Sequence, residues 1–349
     1  MASTPFLSLL DSLSSLDVEK FDRFRRVQCQ YKRLESKHSG IFTDILIPNV
    51  ILEKRGKARY PVIVRIHGGF LITGSSHYAP WFSTWILDYA IKNEAIIVSP
   101  NYRLLPEVNG EAILEDLDDF WNWLHTGSFH SSLAQIVSPK VSADMTKILV
   151  LGESAGGYLA IQLALSYPTQ IRGVVTAYPM LDLKSPFYSE KCSKPIVGVP
   201  NLPNAIIEDH LSAMKTISSS SITSADPPER LELAFAIVQN ARFLEFFGIE
   251  NSELFPLERI ERLGSLGALS LPPTFIFHGE QDSAVPVDGS RKFVALLREI
   301  SPNSQVQLHM QDGDHGFDAD STLETPWLRD GLRMASKEWL PGQNHSSQL

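Results

Sequence analysis

The chain has 349 residues, of which 43% are hydrophobic and 20% charged, values typical of a globular protein that buries enough apolar surface to fold without disulfides or metals. A formal net charge of −9 argues against nucleic acid as a partner. Cys29 and Cys192 have no cysteine or histidine near them at metal-ligand spacing, so we expect two free thiols rather than a disulfide or a metal site.

The two ends of the chain carry the signals that bear on location. The apolar stretch at the amino terminus is brief and interrupted by Asp11, which does not fit a secretory signal. No run approaches the roughly 18 apolar residues that cross a membrane. Ser347, Gln348 and Leu349 resemble the S-K-L peroxisomal signal but lack its basic residue. We therefore predict a cytoplasmic protein without a membrane span, with a peroxisomal location as the alternative.

Hydrophobic periodicity predicts a helix over residues 4–34, then an outer strand at IFTDILIP, residues 41–48. Short β-branched runs that follow are typical of buried parallel strands. These runs cover residues 60–69, 94–103, 147–154, 173–179, 272–280 and 304–310. Helices are predicted over residues 81–92, 112–125, 157–166 and 290–299. The alternation implies an α/β fold, with a mostly parallel sheet and helices on both faces.

Residues 181–263 break this alternation, because they contain no clean strand pattern. Two loops rich in proline or serine precede LELAFAIVQNARFLEFFG, residues 231–248, which reads as one helix that is apolar around more than half its circumference. We predict a helical insertion over the carboxyl ends of the strands. The alternative is an ordinary surface excursion.

Ser154 lies in VLGESAGGYLA, where G-x-S-x-G joins a predicted strand to a predicted helix. A sharp strand-to-helix turn forces the serine into an unfavourable backbone conformation and exposes its hydroxyl, and glycines on either side avoid the clash. The alternative is a small residue in a tight turn. In this context the pattern predicts a nucleophile.

A serine nucleophile needs a base and an acid. His315 follows the last predicted strand in QDGDHGFD, a loop that can aim its imidazole at Ser154. Asp282 follows the preceding strand in GEQDSAVP and is favoured as the acid. Its rivals are Glu280, Asp288, Asp312 and Asp314. The histidines expected to be plain surface or core residues are His38, His77, His125, His130, His210 and His345. The chain order Ser154, Asp282, His315 is that of the α/β-hydrolases.

Backbone donors for an oxyanion are predicted after an early strand, in RIHGGFLITGS. Gly68 and Gly69 can bring their N–H groups close to a substrate oxygen, and the N–H of Ala155, after the nucleophile, completes the set.

Five motifs in this order resemble the hormone-sensitive-lipase-like branch of the α/β-hydrolases, the alpha/beta hydrolase fold-3 esterases. They are HGGF at 67–70, NYRLLPE at 101–107, GESAGG at 152–157, HGEQDSAVP at 278–286 and GDHGF at 313–317. The resemblance implies one domain over residues 1–349, with an eight-stranded, mostly parallel sheet. It implies a cap made of residues 1–40 and 181–263 over a core of residues 41–180 and 264–340. The resemblance also implies that Asp116 has a structural role.

Three departures from the family pattern leave the substrate class open. YRLLPE stands for YRLAPE, Glu153 replaces the aspartate of GDSAGG, and Phe70 takes the third position of HGGG, which leaves two clear glycine donors.

The resemblance and the motifs together predict a serine esterase that needs no cofactor or metal. It would cleave, or transfer the acyl group of, a small and largely apolar ester or thioester, with a role in specialised metabolism, as a monomer or a homodimer. Phe235, Phe243, Phe246 and Phe247 are expected to line an apolar acyl pocket or to form the core of the cap. The alternatives are a dehydratase, cyclase or lactone-forming enzyme, and a non-catalytic receptor, which the presence of His315 disfavours.

Overall fold

A computed structural model describes residues 4–14, 19–34, 40–137, 140–216 and 221–342. Eight strands form one sheet in the order β1-β2-β4-β3-β5-β6-β7-β8. They are β1 Phe24–Arg33, β2 Gly40–Pro48, β3 Ala58–Ile66, β4 Ile96–Pro100, β5 Val141–Glu153, β6 Gly173–Ala177, β7 Thr274–Gly279 and β8 Val306–Gln311. The pairs β1–β2 and β2–β4 are antiparallel, and the other pairs are parallel. The predicted α/β architecture is confirmed.

Helices cover both faces of this sheet, which is why β4, β6 and β7 are buried along their whole length. The helices are α1 Thr4–Ser14, α2 Asn49–Leu52, α3 Thr84–Lys92, α4 Gly110–Leu124, α5 Gly127–Ile136, α6 Ala155–Ser166, α7 Pro186–Ser189, α8 Ala205–Thr216, α9 Leu231–Gln239, α10 Phe243–Phe247, α11 Pro256–Ser265, α12 Asp288–Ile300 and α13 Pro326–Ser336. One hydrophobic core holds side chains of α4, α6 and α12, and a second core holds those of α3 and α13.

The predicted helix over residues 4–34 is wrong beyond α1, because residues 24–33 form β1. Val27 and Cys29 are buried while Gln28 and Gln30 are exposed, a two-residue alternation that belongs to a strand. Consequently β2, predicted as an outer strand, is the second strand from the edge. The basic residues of β1 suit an edge strand, since charge there discourages pairing with another chain.

The segment between β6 and β7 contains the helices α7 to α11. Within its described part, residues 181–216 and 221–263, no residue belongs to the sheet, as expected. The single helix predicted for residues 231–248 is wrong: it divides into α9 and α10. Ala241 stands between them with a φ of 58°, a left-handed conformation that interrupts a right-handed helix.

Further predictions from the sequence concern the cysteines, a membrane span and the chain ends. Cys29 and Cys192 are both free thiols. In the described ranges, no helix combines the length and apolar character required to traverse a bilayer. His38, His345 and the tripeptide Ser347, Gln348 and Leu349 lie outside the described residues.

Candidate active site

Ser154 sits on a sharp turn between β5, which ends at Glu153, and α6, which begins at Ala155. Its backbone has a φ of 57° and a ψ of −119°, a sparsely populated conformation that costs an L-residue roughly 1–3 kcal/mol. A Cβ at Gly156 would overlap the carbonyl oxygen of Ile66, so this helix can pass close to β3 only with glycine there. The strained turn lifts the Ser154 side chain above the carboxyl ends of the strands, as in a nucleophile elbow.

Asp282 and His315 meet at the same edge of the sheet, in loops after β7 and β8. His315 Nδ1 lies 2.8 Å from Asp282 Oδ2. Burial lowers the pKa of His315, but the charge and hydrogen bond of Asp282 outweigh burial, so the pKa is raised above its usual value near 6.5. Asp282 is therefore placed to orient an imidazole and to stabilise its protonated form.

The other acids considered for this role have different partners. Asp288, at the start of α12, pairs with Arg291. Asp314 accepts hydrogen bonds from the backbone N–H and the hydroxyl of Ser283 and from the N–H of His315, so it shapes the loop instead of contacting the imidazole ring. Glu280 and Asp312 are exposed. Of these acids, Asp282 is the one whose carboxylate contacts the ring of His315.

His278 is a neighbour of Asp282 that the sequence analysis missed. Its Nε2 lies 2.8 Å from the Val285 carbonyl oxygen and 3.3 Å from Asp282 Oδ2, and its Nδ1 lies 2.8 Å from Ser290 Oγ. Because both neighbours of Nε2 are acceptors, we assign the proton to Nε2. The sequence feature that could have identified His278 is its position at the start of HGEQD, on the buried strand β7.

The backbone also fixes Asp282, whose Oδ1 accepts hydrogen bonds from the N–H groups of Ala284 and Val285. Burial raises the pKa of this carboxyl, but the two imidazoles, His315 first, outweigh it and hold the pKa well below its usual range. The carboxylate thus stays ionised with both oxygens occupied.

Tyr178 and Asp318 support His315 from its other side. The Tyr178 ring packs at 4.3 Å from the imidazole, centroid to centroid. The buried Asp318 accepts hydrogen bonds from the Tyr178 hydroxyl at 2.9 Å, the Trp85 indole at 2.8 Å and the Ser83 hydroxyl at 3.0 Å. These contacts tie the His315 loop to β6 and α3. No motif in the sequence pointed to them.

The loop after β3 carries the predicted oxyanion donors and is strained. Gly69, Phe70 and Leu71 have φ angles of 106°, 56° and 63°. A Cβ at Gly69 would overlap the Thr73 carbonyl oxygen, so only glycine fits there. Within the described ranges, the N–H groups of Gly68 and Gly69 have no backbone carbonyl as partner. The backbone hydrogen bonds of the described residues therefore leave both N–H groups available.

His67 holds the start of this loop as a neutral ring. Burial lowers the pKa of His67 to about 3. Its Nδ1–H donates to the Gly68 carbonyl oxygen at 2.8 Å, and its ring stacks on Tyr102 at 4.4 Å. Tyr102 in turn donates to the His67 carbonyl oxygen at 2.8 Å.

Glu153, the residue before Ser154, forms a buried ion pair with Arg65 at 3.0 Å. Arg65 also donates to the Trp81 carbonyl oxygen at 2.9 Å. Burial raises the pKa of Glu153 to about 7, although the charge of Arg65 acts against it. Through this pair, the turn that carries Ser154 is connected to Trp81, which lines the site.

A cavity of about 310 Å³ contains Ser154, His315, Gly68 and Gly69 in its lining. Its other walls are mostly apolar and come from separate parts of the chain. They include Leu9, Leu13, Phe70, Trp81, Val197, Leu231 and Phe235. Of the four phenylalanines considered for an acyl pocket, Phe235 lines this cavity, whereas Phe243 and Phe247 are buried and stacked on each other. Phe246 packs against the guanidinium of Arg242.

Other singled-out residues lie away from the cavity. The buried Asp116 accepts hydrogen bonds from Arg103 and from Lys32 of β1, a structural position. His77 stacks on Phe21, and burial lowers the pKa of His77 to about 4. His210 contacts Glu107 at 2.9 Å.

Comparison with known proteins gives concordant results. The family model described as alpha/beta hydrolase fold matches residues 63–226. The probable carboxylesterase M8 of Phoma sp. is 33% identical over 323 residues, which cover 92% of this chain and 98% of that protein. The Pyrobaculum calidifontis esterase has a similar fold, with a TM-score of 0.56 at 18% identity, over 96% of this chain and 90% of that one.

A longer protein matches as well. The non-reducing polyketide synthase stbA of Stachybotrys bisbyi is 26% identical over 321 residues. That match covers 85% of this chain and 14% of the synthase, so the chain resembles one segment of it.

The fold and the similarity to a carboxylesterase over nearly its full length define the class, a carboxylic ester hydrolase built on the α/β-hydrolase fold. Within this class, the chain belongs to the hormone-sensitive-lipase-like α/β-hydrolase family that its motifs indicate.

Proposed function

We propose that the protein is a serine esterase in which Ser154, His315 and Asp282 form the catalytic triad and Gly68, Gly69 and Ala155 supply the oxyanion hole. The observation that carries the proposal is the 2.8 Å contact between His315 and Asp282 at the edge of a cavity that also contains the strained Ser154.

The proposed reaction has two steps. Ser154 Oγ attacks the ester carbonyl carbon while His315 Nε2 takes its proton, and the three N–H groups stabilise the oxyanion. The carbon–oxygen bond to the leaving group breaks as His315 returns the proton, which releases an alcohol and leaves an acyl-enzyme. Water, activated by His315, then cleaves the acyl-enzyme to the acid.

We further propose that a cap shapes the substrate pocket. It would comprise α1 and the helical segment of residues 181–263, over a core formed by the rest of the single domain. Strand β1 belongs to the sheet, so this cap is smaller than the one inferred from residues 1–40. Its apolar contribution to the cavity, from Leu9, Leu13 and Phe235, suits a small and largely apolar acyl group.

The match to a polyketide synthase favours a second candidate substrate for the same chemistry, a polyketide acyl thioester. In that case the leaving group is a thiol, and the protein acts in specialised metabolism. An internal hydroxyl of the acyl group in place of water would release a lactone.

Fluorophosphonate labelling, combined with hydrolysis of p-nitrophenyl esters of increasing chain length, tests the proposal. We expect wild-type protein to be labelled, and Ser154→Ala and His315→Ala to lose both labelling and hydrolysis. A folded wild-type protein that is not labelled would contradict it and would favour a receptor or a cyclase. N-acetylcysteamine thioesters, assayed beside oxygen esters of the same acids, distinguish the two substrate candidates.

A further inference from the structure

The loop that carries Gly68 and Gly69 is held from outside by another part of the chain. Phe70 and Leu71 are large residues in left-handed conformations, and such strain persists only where surrounding contacts enforce it. Part of this support comes from the Leu105 N–H, which donates to the Leu71 carbonyl oxygen at 2.8 Å. Further support comes from residues 225–230, about 150 residues further along the chain.

Arg230 makes the central contacts. Its Nε donates to the Ile72 carbonyl oxygen at 2.8 Å, in the strained loop itself. Its Nη2 donates to the Leu105 carbonyl oxygen. One guanidinium therefore binds both the loop and the segment that supports it.

A buried ion pair fixes the guanidinium in this place. Arg230 Nη1 and Nη2 lie 2.8 and 2.7 Å from the two carboxylate oxygens of Glu107, a bidentate arrangement. The side chains are only 12% and 6% exposed. Burial raises the pKa of Glu107, but His210 and Arg230 outweigh it and lower the pKa to about 2. The carboxylate is thus ionised at neutral pH.

Backbone contacts join the same two segments. Gly74 and Ala225 exchange two N–H to carbonyl hydrogen bonds, at 2.6 and 3.0 Å. The Thr73 hydroxyl lies 2.8 Å from the carbonyl oxygens of Ala225 and Glu229. Beyond Arg230 the chain enters α9, whose Leu231 and Phe235 line the cavity.

We propose that Arg230 is a positioning residue that holds the strained loop in the conformation in which Gly68 and Gly69 donate to the oxyanion. The inference rests on the proposed function, because it assumes that these N–H groups bind the tetrahedral intermediate. Arg230 itself touches no reacting atom. The N–H groups that Arg230 positions stabilise the transition state more than the bound substrate. Loss of Arg230 therefore lowers kcat more than it changes KM.

The test compares Arg230→Gln with Arg242→Gln. Arg242 is a matched control in the same insertion, since it forms ion pairs with Glu208 and Glu245 at the surface. Both variants are assayed for kcat and KM on a p-nitrophenyl ester. They are also assayed for inhibition by an alkyl trifluoromethyl ketone, whose adduct with Ser154 places an oxyanion in the hole. Active sites are counted by fluorophosphonate titration.

For Arg230→Gln we expect kcat per active site to fall about 10- to 100-fold, with KM changed less than about threefold, because loss of a whole oxyanion donor costs about 100- to 1,000-fold. The inhibitor should bind more weakly by a similar factor. Arg242→Gln should match wild type. Wild-type kcat, or unchanged inhibitor affinity, in folded Arg230→Gln would overturn the proposal.

Thr73→Val keeps the test decisive if Arg230→Gln fails to fold, because it removes only the hydroxyl of a side chain of the same shape. A decrease in kcat of about three- to tenfold, with KM nearly unchanged and weaker binding of the inhibitor, supports the proposal. An unchanged kcat contradicts it. Failure of the proposed function has a different result: wild-type protein is then neither labelled by fluorophosphonate nor inhibited by the ketone.

Discussion

The two sides of the cavity are built differently. The proposed reacting side has Ser154 and His315 in its lining, with Asp282 in contact with His315, on turns and short loops at the carboxyl ends of three strands of one sheet. Backbone hydrogen bonds fix Ser154 and Asp282, and the Asp282 carboxylate fixes His315. The recognition side comes from α1 and α9, which are far apart in sequence and meet through packing, as when Phe6 contacts the ring of Phe235. Changes on the first side should therefore abolish the reaction, whereas changes on the second should alter which acyl groups are accepted.

Asp282→Asn is the most severe test of the reacting side. We expect kcat/KM to fall about 10³- to 10⁴-fold, since loss of the acid charge in a triad leaves the imidazole in the wrong tautomer. Asp288→Asn is the matched control and should stay within about twofold of wild type, because Asp288 pairs with Arg291 on the surface. Equal losses in the two variants would show that Asp282 is not the acid.

The same variant should shift the pH profile. His315 acts as a base only when neutral, and its raised pKa places the acidic limb of kcat/KM above pH 6.5 in wild type. Without the charge of Asp282, burial lowers the pKa of His315, so the limb should move to lower pH. Steady-state kinetics between pH 5 and 9 measure the shift, and an unmoved limb would assign it to another group.

His278→Phe should have an intermediate effect, because it removes one donor from Asp282 and leaves the triad complete. We expect kcat/KM to fall about 10- to 100-fold, as for the loss of a hydrogen bond to a charged group. His278→Gln should recover part of the activity, since its amide can donate to the same oxygens. His309→Phe, a histidine that stacks on Trp327, is the control. Equal activities of the Phe and Gln variants would argue against a donor role.

Phe235→Leu tests the recognition side. The smaller side chain enlarges the cavity beside the acyl group, so the preference should shift toward longer or bulkier p-nitrophenyl esters. We expect a shift of about three- to tenfold, since each buried methylene is worth about 0.8 kcal/mol, or about fourfold. Phe246→Leu, which packs on Arg242, should leave the preference unchanged. A uniform loss over all chain lengths would mean that Phe235 acts on the reaction and not on selection.

Phe6→Ala should have the smallest effect. Phe6 is buried against Phe235 and anchors α1, whose Leu9 and Leu13 line the cavity. We expect KM for long-chain esters to rise about two- to fivefold, with hydrolysis of the acetate ester unchanged, because weaker docking of α1 removes apolar contact with the distal acyl chain alone. Leu7→Ala is the control, since Leu7 is 50% exposed. Equal changes for acetate and octanoate esters would contradict this role of α1.

The features that could be predicted from the sequence are those that depend on local residue patterns. The parallel strands, the turn at Ser154 and the loops of Asp282 and His315 were predictable, because buried strands and a glycine-bordered elbow impose residue types at short spacing. The same logic failed for β1, where charged edge residues obscured a two-residue alternation, and for residues 231–248, where a continuous apolar pattern concealed the break at Ala241.

Contacts between residues far apart in the chain became visible only in the folded structure. The hydrogen bond of Tyr178 to Asp318 joins residues 140 positions apart, and that of Arg230 to the Ile72 carbonyl oxygen joins residues 158 positions apart. Backbone carbonyls leave no residue signature in a sequence. Likewise, α1 has an ordinary amphipathic pattern and α9 an almost wholly apolar one, and only their packing makes Leu9 and Phe235 walls of one cavity.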